Sequence, residues 1–226
     1  MIVRVGVDLS LTSPGVALFR EDQPHQVWLL CFQQRKTDEL FTDRPLQRDP
    51  RVLYLTRLRY PEVDRWSRMD HIVTQIVSWI ADRCGGVVPQ IHIENYAFGA
   101  THSSSVSSLA ELGGAMRLAW HRKGWTWRDL APSSVKKAFA GHGRADKPAM
   151  LQAYLVHGWP ALGDVLKCQP HQSPLHDLVD ALALAVTTPG VTAPAGPAVP
   201  KRRAVPKKRK RCIAAGTAGD HPHGLA

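Results

Sequence analysis

Ile2-Val3-Arg4-Val5-Gly6-Val7-Asp8 stands near the start of the chain. Leu9-Ser10-Leu11-Thr12-Ser13-Pro14-Gly15 separates it from Val16-Ala17-Leu18-Phe19. The first run is rich in β-branched residues and stops at a carboxylate. The second follows a turn of Ser, Thr, Pro and Gly, so the two read as antiparallel strands. Val27 to Phe32 is a third candidate strand and completes an antiparallel three-strand meander. Residues 33–64 are charged and interrupted by proline, and read as an excursion. From Trp66 to Ala81 the apolar residues Met69, Ile72, Val73, Ile76, Val77 and Ile80 recur at helical spacing, which predicts an amphipathic helix.

Ile91-His92-Ile93-Glu94 reads as a short strand that again closes on a carboxylate. A helix over about 107–122 carries a Gly113-Gly114 pair, for which close backbone packing is the expected reason. Trp125 to Leu130 is a further strand, and Pro132 opens a short helix. After a Gly141-His142-Gly143 turn comes a helix over about 146–157. Ser173-Pro174 reads as an N-cap with proline in the first turn of a last helix, which holds Asp177, Asp180 and Ala181 to Val186. The order predicts an α/β fold: a mixed sheet with the antiparallel meander at one side, flanked by helices.

The 226 residues are 44% hydrophobic, enough for one globular domain with a core, assigned to residues 1–188. The net charge of +10 is unevenly placed. Residues 189–226 hold eight basic residues and a single acid, Asp220, together with six of the 17 prolines. That composition predicts a basic, Pro/Ala-rich disordered tail. Cysteines at 31, 84, 168 and 212 form no close pair, which excludes a disulfide scaffold and a Cys-based zinc ribbon and fits a reducing cytosol. No apolar run reaches the roughly 18 residues of a membrane span, and the first apolar run is too short for a signal peptide.

Asp8 and Glu94 each end a strand, where a side chain projects toward a cleft. Asp177 and Asp180 are three apart on a helix and share a face. Acids from three distant segments would then meet at one sheet edge. Crowded carboxylates raise each other's pKa unless a cation lies between them. Oxygen donors without thiols suit Mg²⁺, with Mn²⁺ as a substitute, and two such ions would serve phosphodiester hydrolysis. Taken singly, each acid has a plainer reading. Asp8 caps a turn, Glu94 is a surface residue at a strand end, and Asp177 and Asp180 complement a helix dipole. The joint pattern shifts the balance.

GVDLSLTSPGVAL (6–18), IENYAFG (93–99), ELGGAMRLAW (111–120), APSSVKKAFAGHGRADKPAM (131–150) and HDLVDALALA (176–185) stand in that order. Together they closely resemble the RuvC-like Holliday junction resolvases of the ribonuclease H-like superfamily. The resemblance implies a ribonuclease H-like fold, a homodimer and Mg²⁺-dependent cleavage of branched DNA such as four-way junctions. Carried over, Asp8 and Glu94 are catalytic metal ligands, and Asp177 and Asp180 match the acidic pair of the last helix. Some members have His at the first acid of that pair, and His176 stands one position away as a neighbour. The stretch after Glu94 is more similar to phage and mobile-element members. The family's DNA-contacting aromatic falls at Ala97, so Tyr96 or Phe98 takes the stacking role.

Lys136, Lys137, Arg144 and Lys147 surround a short helix and a glycine turn, a combination suited to phosphate contacts. The plainer reading is a solvated helix face. Arg57, Arg59, Arg65 and Arg68 extend the binding surface or are unrelated to it. Trp66, Trp79, Trp120, Trp125 and Trp127 are core candidates. The tail segment KRRAVPKKRKR (201–211) reads as a DNA-binding arm or as a nuclear localisation signal. The cytoplasm of a bacterial or phage-infected cell fits the first, and a nucleus the second. Two other functions compete with the nuclease: a non-catalytic DNA-binding protein of the same fold, and an ATP-binding enzyme of the actin and sugar-kinase fold, since Asp8 to Gly15 resembles a phosphate loop.

Overall fold

The computed structural model describes residues 1–33, 41–59, 63–95, 104–170 and 172–187. Tyr96 and Phe98, and the tail from residue 189, lie outside the described residues. The strands are β1 (Val3–Asp8), β2 (Gly15–Arg20), β3 (Gln26–Gln33), β4 (Phe41–Arg48), β5 (Arg51–Arg59), β6 (Gln90–Glu94) and β7 (Thr126–Leu130). The helices are α1 (Arg65–Cys84), α2 (Ser104–Arg122), α3 (Pro132–Ala140), α4 (Lys147–Val156), α5 (Gly163–Leu166) and α6 (Leu175–Val186).

All the strands form one mixed sheet in the order β4-β5-β3-β2-β1-β6-β7. The β1-β2-β3 meander is antiparallel, β6 runs parallel to β1, and β7 runs parallel to β6. The strand period of two sorts β1 between the two faces. Val3, Val5 and Val7 enter the core beneath α1 and α2, together with Val16, Leu18, Leu30 and Phe32. Arg4, Gly6 and Asp8 turn to the other face, where Ala17, Leu29, Leu53 and Leu55 pack against α3, α4 and α6. The expected mixed sheet flanked by helices is therefore present, with helices on both faces.

The segment 33–64, expected to be an excursion, instead supplies two strands and the N-cap of α1, Asp64. β5 pairs parallel with β3 along its length, and β4 closes the sheet as its edge. Two features hid them. Pro45 sits within β4, a position open to proline on an edge strand, and a register shift between Phe41 and Arg44 breaks the alternation. Arg57 occupies an inward position of β5. It is 2% exposed with its guanidinium over the Phe41 ring, so it is a core residue and not part of a DNA-facing surface.

α1 begins at Asp64, whose carboxylate accepts from the backbone N–H of Trp66 and Ser67, and ends at Gly85 in the left-handed conformation. Trp79, Trp120 and Trp125 are buried as expected, whereas Trp66 is 64% exposed on the first turn of α1. α6 departs from the expected start. Pro174 is itself the N-cap, without a side-chain cap, and Ser173 lies outside the helix. The close packing expected at Gly113-Gly114 does not extend to Gly114, where an added Cβ would meet open space. Glycine has that role elsewhere, at Gly6 and Gly15.

Candidate active site

β1 and β6 are parallel neighbours with Val7 opposite Ile93, so their final residues, Asp8 and Glu94, project from the same end and the same face of the sheet. α6 lies across that face on β1 and β2. Two glycines permit this approach. A Cβ on Gly6 would stand 2.0 Å from the Ala181 carbonyl oxygen, and one on Gly15 would stand 2.5 Å from that of Asp177. The backbone of α6 therefore rests directly on β1 and β2, which brings Asp177 and Asp180 beside Asp8. Gly6 was a readable signal, since a glycine inside a strand often marks close backbone approach.

The four acids share one electrostatic environment. Burial raises the Asp8 carboxyl well above the usual range, and Asp180, Asp177 and Glu94 each raise it further, while Lys147 opposes them. Burial also pushes Asp180 up to about 6, with Glu94 and Asp177 adding to it and Lys136 and Lys147 opposing. Glu94 is raised by burial and lowered by Lys136. Such shifts mark negative charge concentrated in a poorly solvated place.

Asp177 is held on both oxygens. The buried Ser13 hydroxyl donates to Oδ2 at 2.5 Å, and His176 Nε2 lies 3.1 Å from Oδ1. His176 Nε2 also stands 2.7 Å from Lys147 Nζ and 3.4 Å from the Ser173 hydroxyl. Its Nδ1 is buried without a hydrogen-bond partner. His176 is thus a neighbour that links Lys147 to Asp177. Ser13 was read as part of a turn, and no local pattern connects it with a residue 164 positions away.

The expected cations divide. Lys136, half-buried on α3, and Lys147, exposed at the start of α4, both act on the acids. Lys137 and Arg144 are exposed and do not figure among the charges acting on the acids. Arg65 pairs with Glu111. Among the described residues, no group of three or more His, Cys, Asp or Glu side chains stands ready-made in a metal-binding arrangement. The chemistry of the donors nevertheless fits a hard divalent cation: carboxylate oxygens without a thiol, in a site where added positive charge would relieve their repulsion.

The family model described as "Crossover junction endodeoxyribonuclease RuvC" matches residues 51–188. A protein of that name from Renibacterium salmoninarum is 33% identical over 120 residues, covering 51% of this chain and 58% of its own length. One from Helicobacter hepaticus is 33% identical over 118 residues, covering 50% and 58%. The chain thus spans less than two thirds of the length of these relatives. Among solved structures, T. thermophilus RuvC in complex with Holliday junction substrate matches with a TM-score of 0.50 at 20% identity, over 82% of this chain and 91% of that one. At that identity the likeness is one of fold.

Proposed function

The chain belongs to the RuvC family of crossover junction endodeoxyribonucleases, and from that membership we propose that it is a divalent-metal-dependent endonuclease that cuts Holliday junctions or related branched DNA. The observation that carries the reading is the meeting of Asp8, Glu94, Asp177 and Asp180 at one end of the sheet, with Asp8 and Asp180 raised by burial and by the other acids. A surface cap or a helix-dipole acid would not be buried among like charges.

Asp8, Glu94, Asp177 and Asp180 would hold the metal, Mg²⁺ with Mn²⁺ as a substitute. When bound, a pair of such ions supplies an activated water and stabilises the leaving oxygen. The remaining work falls to the chain. Ser13 and His176 orient the Asp177 carboxylate. Lys136 and Lys147 offer positive charge at the rim, where a scissile phosphate brings negative charge. Lys137 and Arg144, exposed on the same α3–α4 segment, are placed to contact flanking phosphates. Tyr96 and Phe98 stand two and four positions after Glu94 and are proposed to stack on unpaired bases.

A four-way junction has near two-fold symmetry, so a homodimer would present one site to each of two strands. The outer side of α2, with exposed Ala110, Gly114 and Leu118, is the proposed interface. No helix among the described residues is long and apolar enough to cross a membrane.

The test is nicking of a synthetic four-way junction in Mg²⁺ or in EDTA, by the wild type and by Asp8→Asn and Asp180→Asn. Cleavage is expected in Mg²⁺ alone and from the wild type alone, with junction binding retained by both variants. Robust cleavage by either variant would end the assignment. A wild type that binds junctions but never cuts them would favour an architectural role.

A further inference from the structure

α6 covers β1 and β2 and reaches only the margin of β6, so among the described residues no helix packs extensively on the far part of that face. Beside the helix lies a cavity of about 190 Å³ lined by five polar residues, Arg4, Gln90, His92, Thr126 and Arg128, together with Ile91 and Trp127. The strand register explains the set. Arg4 stands opposite Gln90 and Gln90 opposite Thr126, while His92 stands opposite Arg128, so the five residues form two rows across β1, β6 and β7 on one face. None is an acid. Arg4 pairs with Glu21 outside the cavity lining. Arg128 is exposed, and among the described residues it has no ion-pair partner. Asp129, its neighbour in sequence, pairs with Arg117.

His92 is the buried member of this set. It is 3% exposed, with Nδ1 2.9 Å from the Leu184 carbonyl oxygen. Two guanidinium groups and no carboxylate thus line the cavity.

We propose that this cavity is a phosphate-binding pocket, separate from the four acids, that takes a backbone phosphate of DNA beyond the cleavage point. At about 190 Å³ it is smaller than the roughly 300–1,000 Å³ of pockets that enclose whole ligands, and it suits one phosphate group. Guanidinium pairs with phosphate in a two-pronged geometry, and the Gln90 amide and Thr126 hydroxyl add neutral donors. Arg4 lies four residues before Asp8 on the same face of β1, and Gln90 four before Glu94 on β6. Four residues of strand span about 13 Å at ~3.3 Å each. Measured along a duplex axis, that is the rise of about four base pairs at ~3.4 Å each. The source of the phosphate rests on the DNA reading above; the pocket itself does not.

Two measurements on the full chain test it, both in EDTA. In the first, affinity for a four-way junction and for a linear duplex of one arm is followed against salt. Arg128→Ala is expected to weaken both about 3- to 10-fold and to reduce the salt slope by about 0.9, the value for one phosphate, while Arg128→Lys retains the slope. In the second, inorganic phosphate is titrated while the His92 imidazole resonances are observed. They are expected to shift in the wild type and not in Arg128→Ala. A shift with phosphate but an unchanged DNA slope keeps a phosphate pocket and assigns it to a free phosphate compound. An unchanged slope together with silent His92 resonances overturns the pocket, even if the acids prove to cleave junctions. If the chain binds no DNA, the phosphate titration still decides.

Discussion

The Ser13 hydroxyl donates to Asp177 Oδ2 at 2.5 Å, tying the turn between β1 and β2 to the first turn of α6. This contact and the approach of His176 to Oδ1 leave Asp177 a single orientation. The carboxylate that sequence alone would assign to a helix dipole is thus positioned by a residue of the opening hairpin.

Ser13→Ala removes that donor and leaves the acid with an unmatched oxygen. Junction cleavage by this variant is expected to fall about 10- to 100-fold, the usual cost of losing a group that orients a metal-binding side chain. Ser13→Thr restores most of it, because the hydroxyl is kept. Single-turnover cleavage alongside junction affinity makes the check. Equal rates in wild type and Ser13→Ala would show that Asp177 needs no such support.

Gly6→Ala places a methyl group 2.0 Å from the Ala181 carbonyl oxygen, a clash that only movement of α6 relieves. Destabilisation of roughly 1–3 kcal/mol is expected, in the range of overpacked cores. Gly114→Ala faces open space and is expected to be neutral or slightly stabilising in the monomer. Urea unfolding of the two variants separates them, and equal stabilities would contradict the close approach of α6 to β1.

Asp180 carries a folded-state pKa of about 6 against an ordinary 3.8, raised first by burial and then by Glu94, with Asp177 adding. The folded protein therefore binds this proton more tightly than the unfolded chain. The resulting stabilisation is full below about pH 4, declines as pH rises, and is lost above about 6. In EDTA, Asp180→Asn is expected to exceed the wild type in stability at pH 8 by the order of 1–3 kcal/mol, with the gap closing toward pH 4. Mg²⁺ at pH 8 is expected to raise the wild-type Tm more than that of the variant. Thermal unfolding from pH 4 to 8 measures both effects, and a pH-independent gap would refute the shared acidic environment.

Lys136 acts on Glu94 and Asp180, whereas the adjacent Lys137 does not figure among the charges on either acid. Lys136→Ala is expected to slow cleavage of bound junction at least tenfold. Lys137→Ala is expected to weaken binding with little change in that rate. Comparing single-turnover rates at saturating enzyme with Kd values distinguishes the two lysines, and matching profiles would dissolve the distinction.

The helices other than α5, and the strands other than β4 and β5, were legible because each rests on local periodicity. Val3, Val5 and Val7 alternate with Arg4, Gly6 and Asp8, and Met69, Ile72, Ile76 and Ile80 recur by helical turns. β4 and β5 were not legible. Arg57 lies in an inward position and Pro45 in an edge strand, so their hydrophobic alternation is broken; pairing with β3 orders β5, and pairing with β5 orders β4. The start of α6 was misread because Ser173 and Pro174 suit a cap by type, yet Pro174 takes the N-cap position without a side-chain hydrogen bond.

The residue order by itself determined which acids stand at strand ends and on one helix face, because residue spacing along a strand or helix dictates direction. It also determined the family, through motifs kept in order along the chain. Only the tertiary structure decided that Gly6 and Gly15 let α6 settle onto the sheet, that Ser13 and His176 hold Asp177, and that Lys136 rather than Lys137 faces the acids. It alone set Arg4, His92 and Arg128 around one cavity. Apart from the adjacent pair His176 and Asp177, these relations join residues far apart in sequence, through backbone approach, burial and shared electrostatic fields. Such forces depend on distance in space, which no local pattern of residues encodes.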